Sequence, residues 1–274
     1  MTQVPTITLN DGRAIPQLGI GVWQVSNDDI VATVAKALEV GYRHIDTAQG
    51  YQNEQGVGEA FAKSGLSRGE VWITTKLANG KHERGDAVTE LKDSLSKLGT
   101  DYVDLYLIHW PTPNSGDYVE TWRGMQDALE QGLTRSIGVS NFQPDHLDKL
   151  VADGGAVPAV NQIEIHPTFT NQTAVNGSLK HGIKIESWSP LGLGADLNNA
   201  TVAEIAARTG KTPAQVIIRW HLQKGYIVFP KSITPSRIEE NFNVFDFELT
   251  ADDLAAIDAL DAGNRTGPDP DVFG

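Results

Sequence analysis

The chain has 274 residues, a formal net charge of −13 at pH 7 and no cysteine. The absence of cysteine excludes disulfides, thiolate metal sites and cysteine nucleophiles, and it is compatible with a reducing, cytoplasmic location. The negative charge disfavours binding to nucleic acid or to an anionic membrane surface, so any anion site requires a local group of cations.

The N-terminal segment predicts a β-hairpin. Residues 6–9 and 13–15 are strand-like, and they flank Asn10-Asp11-Gly12, whose Asp-Gly pair is typical of a tight hairpin turn. We expect this hairpin to act as a plug across the bottom of the domain that follows.

Short runs rich in valine and isoleucine then alternate with stretches of helical period. The strand-like runs are residues 18–22, 42–46, 71–76, 103–109, 134–139, 160–164, 183–187 and 227–229. The helical patterns are residues 28–38, 86–98, 119–131, 144–151, 202–208 and 213–223. Eight strands joined by helices through right-handed crossovers predict an α/β fold, a single (β/α)8 TIM barrel over residues 1–274.

An open, doubly wound sheet is the alternative fold. Such sheets that bind dinucleotides carry Gly-x-Gly-x-x-Gly after the first strand. Here Gly19-Ile20-Gly21 continues with Val22-Trp23-Gln24, so this signature is absent. The sequence therefore favours the closed barrel.

Four ionisable residues stand at or just after the ends of three consecutive predicted strands: Asp46, Tyr51, Lys76 and His109. In an α/β barrel these ends open onto the face that carries the chemistry. A tyrosine phenol has a pKa near 10, and a neighbouring lysine favours its anion. We expect Lys76, held by Asp46, to tune Tyr51 as a proton donor while His109 orients a carbonyl oxygen. Hydride would have to come from a bound cofactor.

A second group of candidate residues follows the last predicted strand. Lys231, Ser232 and Arg237 lie in a loop that enters a helix through Ser236. The loop after the last strands of a barrel, together with a helix N-terminus, is a common phosphate site. The sequence therefore predicts a phosphate anchor in an otherwise acidic chain, although a solvated basic loop is the alternative.

The ordered motifs of the chain resemble those of the aldo-keto reductase family. They are GYRHIDTAQGYQNE, ITTKL, DLYLIHWP, SIGVSNF, NQIEIHP, ESWSPLG and FPKSITPSRIEEN, and they span nearly the whole sequence. The resemblance implies a carbonyl reductase with Tyr51 as proton donor, Lys76 and Asp46 as its tuners and His109 as carbonyl orienter.

The resemblance also implies an NADPH site. Ser140, Asn141 and Gln162 would bind the nicotinamide amide and Trp188 would stack on its ring, while Ser189 and Leu191 would line the pyrophosphate path. The ribose 2′-phosphate would be held by Lys231, Ser232 and Arg237, with Glu240 and Asn241 near the adenine, which favours NADPH over NADH.

Within the family, the chain is most similar to bacterial 2,5-diketo-D-gluconate reductases, through stretches such as TRSIGVSNF and KTPAQVIIRWHLQKG. The short connection at residues 112–118 and the brief tail after Leu260 predict an open pocket. Trp23 and Trp110 would form its aromatic walls around a small-molecule carbonyl substrate. Because a barrel buries its sheet internally, a monomer is expected, and the absence of about 18 consecutive apolar residues predicts no membrane span.

Two other functions remain open from the sequence. His44, Asp46, His109 and His166 lie near strand ends and could suggest a metal-dependent hydrolase, but Lys76 would repel a divalent ion, so no metal is expected. The second alternative is a non-catalytic, NADPH-sensing subunit on the same scaffold, since a fold does not determine a function.

Overall fold

Eight parallel strands close into a barrel in the computed structural model, which describes residues 4–273. The barrel strands are β3 (Ile20–Gly21), β4 (His44–Asp46), β5 (Trp72–Leu77), β6 (Val103–Ile108), β7 (Thr134–Ser140), β8 (Val160–Glu164), β9 (Lys184–Trp188) and β10 (Ile227–Val228). Leu18 and Val228 form a parallel bridge between the two end strands, and Gly19 N donates to Val228 O at 3.0 Å. The predicted (β/α)8 barrel is therefore confirmed, and the open sheet is excluded.

Ten α-helices in the described part of the chain surround or follow the strands. They are α1 (Ile30–Val40), α2 (Glu54–Lys63), α3 (Arg84–Leu98), α4 (Tyr118–Glu130), α5 (Pro144–Asp153), α6 (Gln172–Lys180), α7 (Ala200–Thr209), α8 (Pro213–Gln223), α9 (Pro235–Phe242) and α10 (Ala251–Asp258). None of these helices is both long and apolar enough to cross a membrane.

Most of the strands and helices in the structure were predicted from the sequence, but some were not. Strand β8 and helix α8 have the predicted bounds, whereas β3 is shorter than predicted because Leu18 pairs only as an isolated bridge. Helix α2 was not predicted, since its two glycines weaken the helical signal. In the structure, a Cβ on Gly58 would lie 2.4 Å from Leu98 O, so glycine permits α2 to pack closely against the end of α3.

The N-terminal hairpin closes the bottom of the barrel, as predicted. Strand β1 (Thr6–Thr8) pairs antiparallel with β2 (Ala14–Pro16), and Gly12 adopts φ +85° in the turn. Asn10 Nδ2 donates to Pro158 O at 2.8 Å, just before β8 begins, which places the turn at the N-terminal ends of the strands. The hairpin buries apolar side chains in one cluster with barrel residues, namely Leu9 and Ile15 with Trp72, Leu105, Leu107, Ala159, Val160, Ile227 and Phe229.

We predict that Ile15→Ala lowers the free energy of unfolding by about 2–5 kcal/mol, because it leaves a cavity under a fully buried side chain. Urea denaturation at equilibrium measures this change. Thr8→Ala on the exposed part of the same hairpin is the control, and it should change stability by less than about 0.5 kcal/mol. Equal effects of the two substitutions would show that the hairpin does not support the barrel.

Candidate active site

The four residues predicted to carry the chemistry meet at the C-terminal end of the barrel. Asp46 ends β4, Lys76 lies near the end of β5, and His109 follows β6 directly. Tyr51 ends a short 3₁₀ turn at Gln49–Tyr51, which follows β4. Parallel strands place their carboxyl ends on one face, so residues that are far apart in sequence become neighbours there.

Lys76 is fully buried at the centre of this group. Its Nζ donates to both carboxylate oxygens of Asp46, at 2.8 Å each, and to the backbone oxygen of Thr47 at 2.9 Å. The phenolic oxygen of Tyr51 lies 3.4 Å from the same Nζ. A single ammonium group therefore connects the carboxylate of one strand to the phenol.

The turn that carries Tyr51 is fixed by side chains that the motif analysis did not assign. Gln49 accepts from the backbone N–H of Ala78 at 3.1 Å, and its amide donates to Glu90 on α3. Gln52 then leaves the turn with φ +58°, in the left-handed region. The side-chain contacts of Gln49 and the backbone conformation of Gln52 therefore shape the loop that carries Tyr51.

The side chains of His109 and Tyr51 are adjacent and half-buried, and their ring centroids lie 5.7 Å apart with the ring planes inclined at 71°. Burial, and secondarily the charge of Lys76, lowers the pKa of His109 to about 3. The imidazole is therefore neutral at physiological pH. A neutral imidazole carries one N–H, so it can donate a hydrogen bond to a carbonyl oxygen but is not a source of the transferred proton.

The pKa of Tyr51 differs from our expectation. Lys76 acts to lower it, as expected, but burial has the larger effect and raises the pKa above its usual value. The phenol is therefore protonated at neutral pH in the free protein. Burial acts to lower the pKa of Lys76, but the charge and hydrogen bonds of Asp46, together with the nearby Tyr51 and Glu186, raise it overall and keep the ammonium charged.

The predicted nicotinamide-binding residues form a connected group beside this centre. Ser140 Oγ donates to Gln162 O at 2.8 Å, and Asn141 Nδ2 donates to His109 O at 3.0 Å. The indole N–H of Trp188 donates to Asn141 Oδ1 at 2.8 Å, which fixes the orientation of the ring. The structure thus brings these residues of β7, β8 and β9 together within one hydrogen-bonded network.

Glu186 is an inward-facing residue of β9 that the sequence analysis missed. It is fully buried, and Gln162 Nε2 donates to its Oε2 at 2.9 Å. Burial, followed by the charge of Asp46, raises the pKa of Glu186 to about 8. The signal for this residue was present in ESWSPLG, because strand alternation places Glu186 on the same face as Trp188.

The predicted phosphate loop presents unpaired cations. Lys231 and Arg237 are exposed, and neither forms an ion pair with another residue between 4 and 273. Lys231 precedes α9 and Arg237 lies in its first turn, and Ser232 between them accepts from the backbone N–H of Thr234 at 3.1 Å. This arrangement fits a phosphate, since cations and a helix N-terminus both favour an anion.

The remaining predicted cofactor residues lie in two segments, the turn after β9 and helix α9. Ser189 has φ +48° and begins the turn that leads to the 3₁₀ segment Gly192–Asn198, and Leu191 is partly buried against the core. Asn241 is buried on α9, whereas the carboxylate of Glu240 accepts from Thr212 Oγ1 at 2.9 Å and so supports the start of α8. A contact of these two residues with adenine stays a prediction.

Two tryptophans were predicted to line the mouth of the barrel, and they differ in exposure. Trp23 is 46% exposed, whereas Trp110 is only 9% exposed because the ring of Phe273 packs on it at 4.6 Å. The same C-terminal tail reaches Trp188, where a Cβ on Gly267 would lie 2.4 Å from the indole. The tail is short but covers more of the mouth than the sequence suggested.

The residues that suggested a metal site do not form one. His44 uses both ring nitrogens within the barrel, contacting Pro16 O at 3.2 Å and Thr74 Oγ1 at 3.0 Å. His166 is held between Asp196 at 2.8 Å and Glu164 at 3.2 Å. Residues 4–273 contain no cluster of three or more histidine, aspartate or glutamate side chains suited to a metal. This geometry weighs against the hydrolase alternative.

The two histidines are predicted to behave oppositely in a pH titration followed by NMR. His109 should show no protonation between pH 5 and pH 8, since its pKa is lowered to about 3. Burial acts to lower the pKa of His166, but the hydrogen bonds and the charges of Asp196 and Glu164 together raise it to about 9. His166 should therefore stay protonated until about pH 9. A midpoint near 6.5 for His109 would contradict its assignment as a neutral donor.

Comparisons with known proteins agree with this geometry. A sequence profile described as the Aldo/keto reductase family matches residues 16–262. The methylglyoxal reductase DkgA of Escherichia coli (strain K12) is 50% identical to the chain, with 100% of each sequence covered. A crystal structure of a Gox0644 mutant in complex with NADPH superimposes with a TM-score of 0.95 at 42% identity, covering 100% of both chains. The crystal structure of a Bombyx mori aldo-keto reductase in complex with NADP superimposes with a TM-score of 0.93 at 39% identity, and the match covers 99% of this chain and 97% of that chain. The chain therefore belongs to the aldo/keto reductase family and is an oxidoreductase.

Proposed function

We propose that the protein reduces a carbonyl group to an alcohol, with NADPH as hydride donor and Tyr51 as proton donor. The observation that carries this proposal is the contact of Lys76 Nζ with both the Asp46 carboxylate, at 2.8 Å, and the Tyr51 phenol, at 3.4 Å. Family membership supports the reaction type, and the NADPH and NADP complexes of the two superimposed structures support the cofactor.

The residues of the protein fit NADPH at several separate points. Lys231 and Arg237 provide two cations without ion-pair partners among residues 4–273 for the 2′-phosphate. Trp188, fixed by Asn141, offers a ring face for the nicotinamide. Ser140 at the end of β7 and Gln162 in the middle of β8 are joined by a hydrogen bond and supply polar groups for the carboxamide.

In this proposal, the active-site residues have separate roles in orienting the carbonyl and in transferring the proton. NADPH supplies a hydride to the carbonyl carbon when it is bound. His109, as a neutral imidazole, donates a hydrogen bond that holds the carbonyl oxygen near Tyr51. The phenol transfers its proton to this oxygen as negative charge develops there, which completes the alcohol and leaves a phenolate.

Lys76 is placed to stabilise that phenolate. An ammonium beside a phenolate lowers the energy of the anion, and the effect is strong in a pocket with little water. Asp46 keeps the ammonium charged and holds it by two hydrogen bonds, so little reorganisation is needed during the proton transfer.

The shape of the barrel mouth is suited to a small, polar substrate. The connection from His109 to α4 is short, and Trp23 stays exposed beside the opening. We propose dicarbonyl compounds as the substrate class, with 2,5-diketo-D-gluconate and methylglyoxal as the first candidates. The E. coli relative is named a methylglyoxal reductase, which supports the second candidate.

Tyr51→Phe is expected to remove most of the activity, by about 10²–10⁴-fold, and to leave NADPH affinity unchanged. NADPH oxidation is measured with 2,5-diketogluconate, methylglyoxal, simple aldehydes and ketoesters. Tyr102→Phe, at the start of β6 and far from the site, is the matched control and should keep full activity. Binding of NADPH without turnover of any carbonyl would favour the sensing subunit, and equal activity of Tyr51→Phe would refute the proton-donor role.

Replacing both Lys231 and Arg237 with alanine should weaken NADPH binding by about tenfold or more and leave NADH nearly unaffected, because only NADPH has the 2′-phosphate. Fluorescence titration gives both dissociation constants. The control is Lys63→Ala with Lys97→Ala, which removes the same charge from α2 and α3. Equal weakening of both cofactors would mean that the loop does not recognise the 2′-phosphate.

A further inference from the structure

Glu186 has a position that the proton-transfer chemistry does not explain. It lies on β9 directly opposite Gln162 on β8 in the parallel register, and its side chain is fully buried inside the barrel. Its Oε2 accepts from Gln162, whereas its Oε1 has no hydrogen-bond partner among residues 4–273. A buried carboxyl with one unpaired oxygen is costly and therefore calls for a functional reason.

The side-chain amide of Gln162 is bound from two sides. Its Nε2 donates to Asp46 Oδ1 at 2.9 Å and to Glu186 Oε2 at 2.9 Å. An amide nitrogen has two hydrogens, so both are used. The opposite amide orientation would direct Oε1 at the Asp46 carboxylate, where two acceptors repel each other. Gln162 Oε1 accepts no hydrogen bond from residues 4–273, so it remains a free acceptor.

The charges inside the barrel show in which form Glu186 acts. Lys76 is the cation of this group, and it is paired with Asp46, which also accepts from Gln162. The second carboxyl, Glu186, has no cation of its own, and its pKa is raised to about 8, first by burial and then by Asp46. Glu186 is therefore uncharged at neutral pH, and its carbonyl oxygen is the atom that accepts from Gln162.

We propose that Glu186 is a positioning residue that, together with Asp46, fixes the Gln162 amide so that its oxygen selects a cofactor carboxamide bearing an N–H. The proposal rests on the proposed function, since it assumes that NADPH binds beside Trp188. Glu186 itself does not touch the cofactor. It acts by accepting the second N–H of Gln162, so that the amide is held by Glu186 on one side and by Asp46 on the other.

The test compares NADPH with its analogue in which an acetyl group replaces the carboxamide. The acetyl group has no N–H, so it cannot donate to Gln162 Oε1. Dissociation constants for both molecules are measured by fluorescence titration, without turnover, for the wild type, Glu186→Gln, Glu186→Leu and Glu186→Met. Thermal unfolding verifies that each variant is folded. Two apolar side chains of different shape are used because one of them could fit the barrel interior if the other does not.

We expect the wild type to bind NADPH about tenfold more tightly than the analogue, which corresponds to one lost hydrogen bond at a buried acceptor. Glu186→Gln retains an uncharged acceptor and should retain this ratio. The apolar variants should reduce the ratio to about twofold or less. A merely structural role for Glu186 would change melting temperature but not the ratio.

Two results would overturn the proposal, and they differ from a failure of the proposed function. A folded apolar variant that keeps the wild-type ratio would show that Glu186 does not orient Gln162. A wild type that binds NADPH and the analogue equally would show that Gln162 does not recognise the carboxamide. By contrast, a wild type that binds neither molecule would contradict the proposed function itself.

Discussion

The buried ammonium of Lys76 is the interaction on which the active site depends. A lysine taken out of water is stable only if its charge is compensated, and Asp46 compensates it with two hydrogen bonds at 2.8 Å. Two further ionisable groups, His109 and Glu186, lie close to this pair and are both held in their neutral forms at pH 7. Burial is the main reason why the pKa of His109 is lowered to about 3 and that of Glu186 is raised to about 8, and the charges of Lys76 and Asp46 act in the same directions on His109 and Glu186, respectively. Burial and one ion pair together thus set the protonation states at the centre of the barrel.

The fold and the chemical centre were largely predictable from the sequence, for a physical reason. Buried parallel strands can be recognised in the sequence because they are rich in valine and isoleucine, and in a parallel barrel the C-terminal ends of all strands open onto the same face. The positions of Asp46, Lys76 and His109 therefore follow from the strand assignment alone. The position and charge of Lys231, Ser232 and Arg237 indicated a phosphate site, and the family motifs then added the other cofactor residues, which periodicity could not have supplied.

Other features depend on contacts that local sequence does not encode. Helix α2 was missed because its glycines disfavour a helix intrinsically, although Gly58 is needed for close packing against α3. The sign of the pKa change at Tyr51 depends on how deeply the ring is buried, which a motif does not reveal. The packing of the Phe273 ring on Trp110 brings together residues that lie far apart in the chain. Each of these properties arises only from tertiary packing.

The hydrogen bond between Gln162 and Asp46 joins residues that are 116 positions apart, whereas Lys76 and Asp46 are separated by 30. Contacts at long sequence separation require more chain entropy to be lost before they form. During refolding, the pair on neighbouring strands can therefore form in a partly folded barrel, but the Gln162 bond requires β8 to be in place. We therefore expect recovery of cofactor binding to be a late event in refolding, with a rate that reports completion of the barrel rather than formation of its first strands.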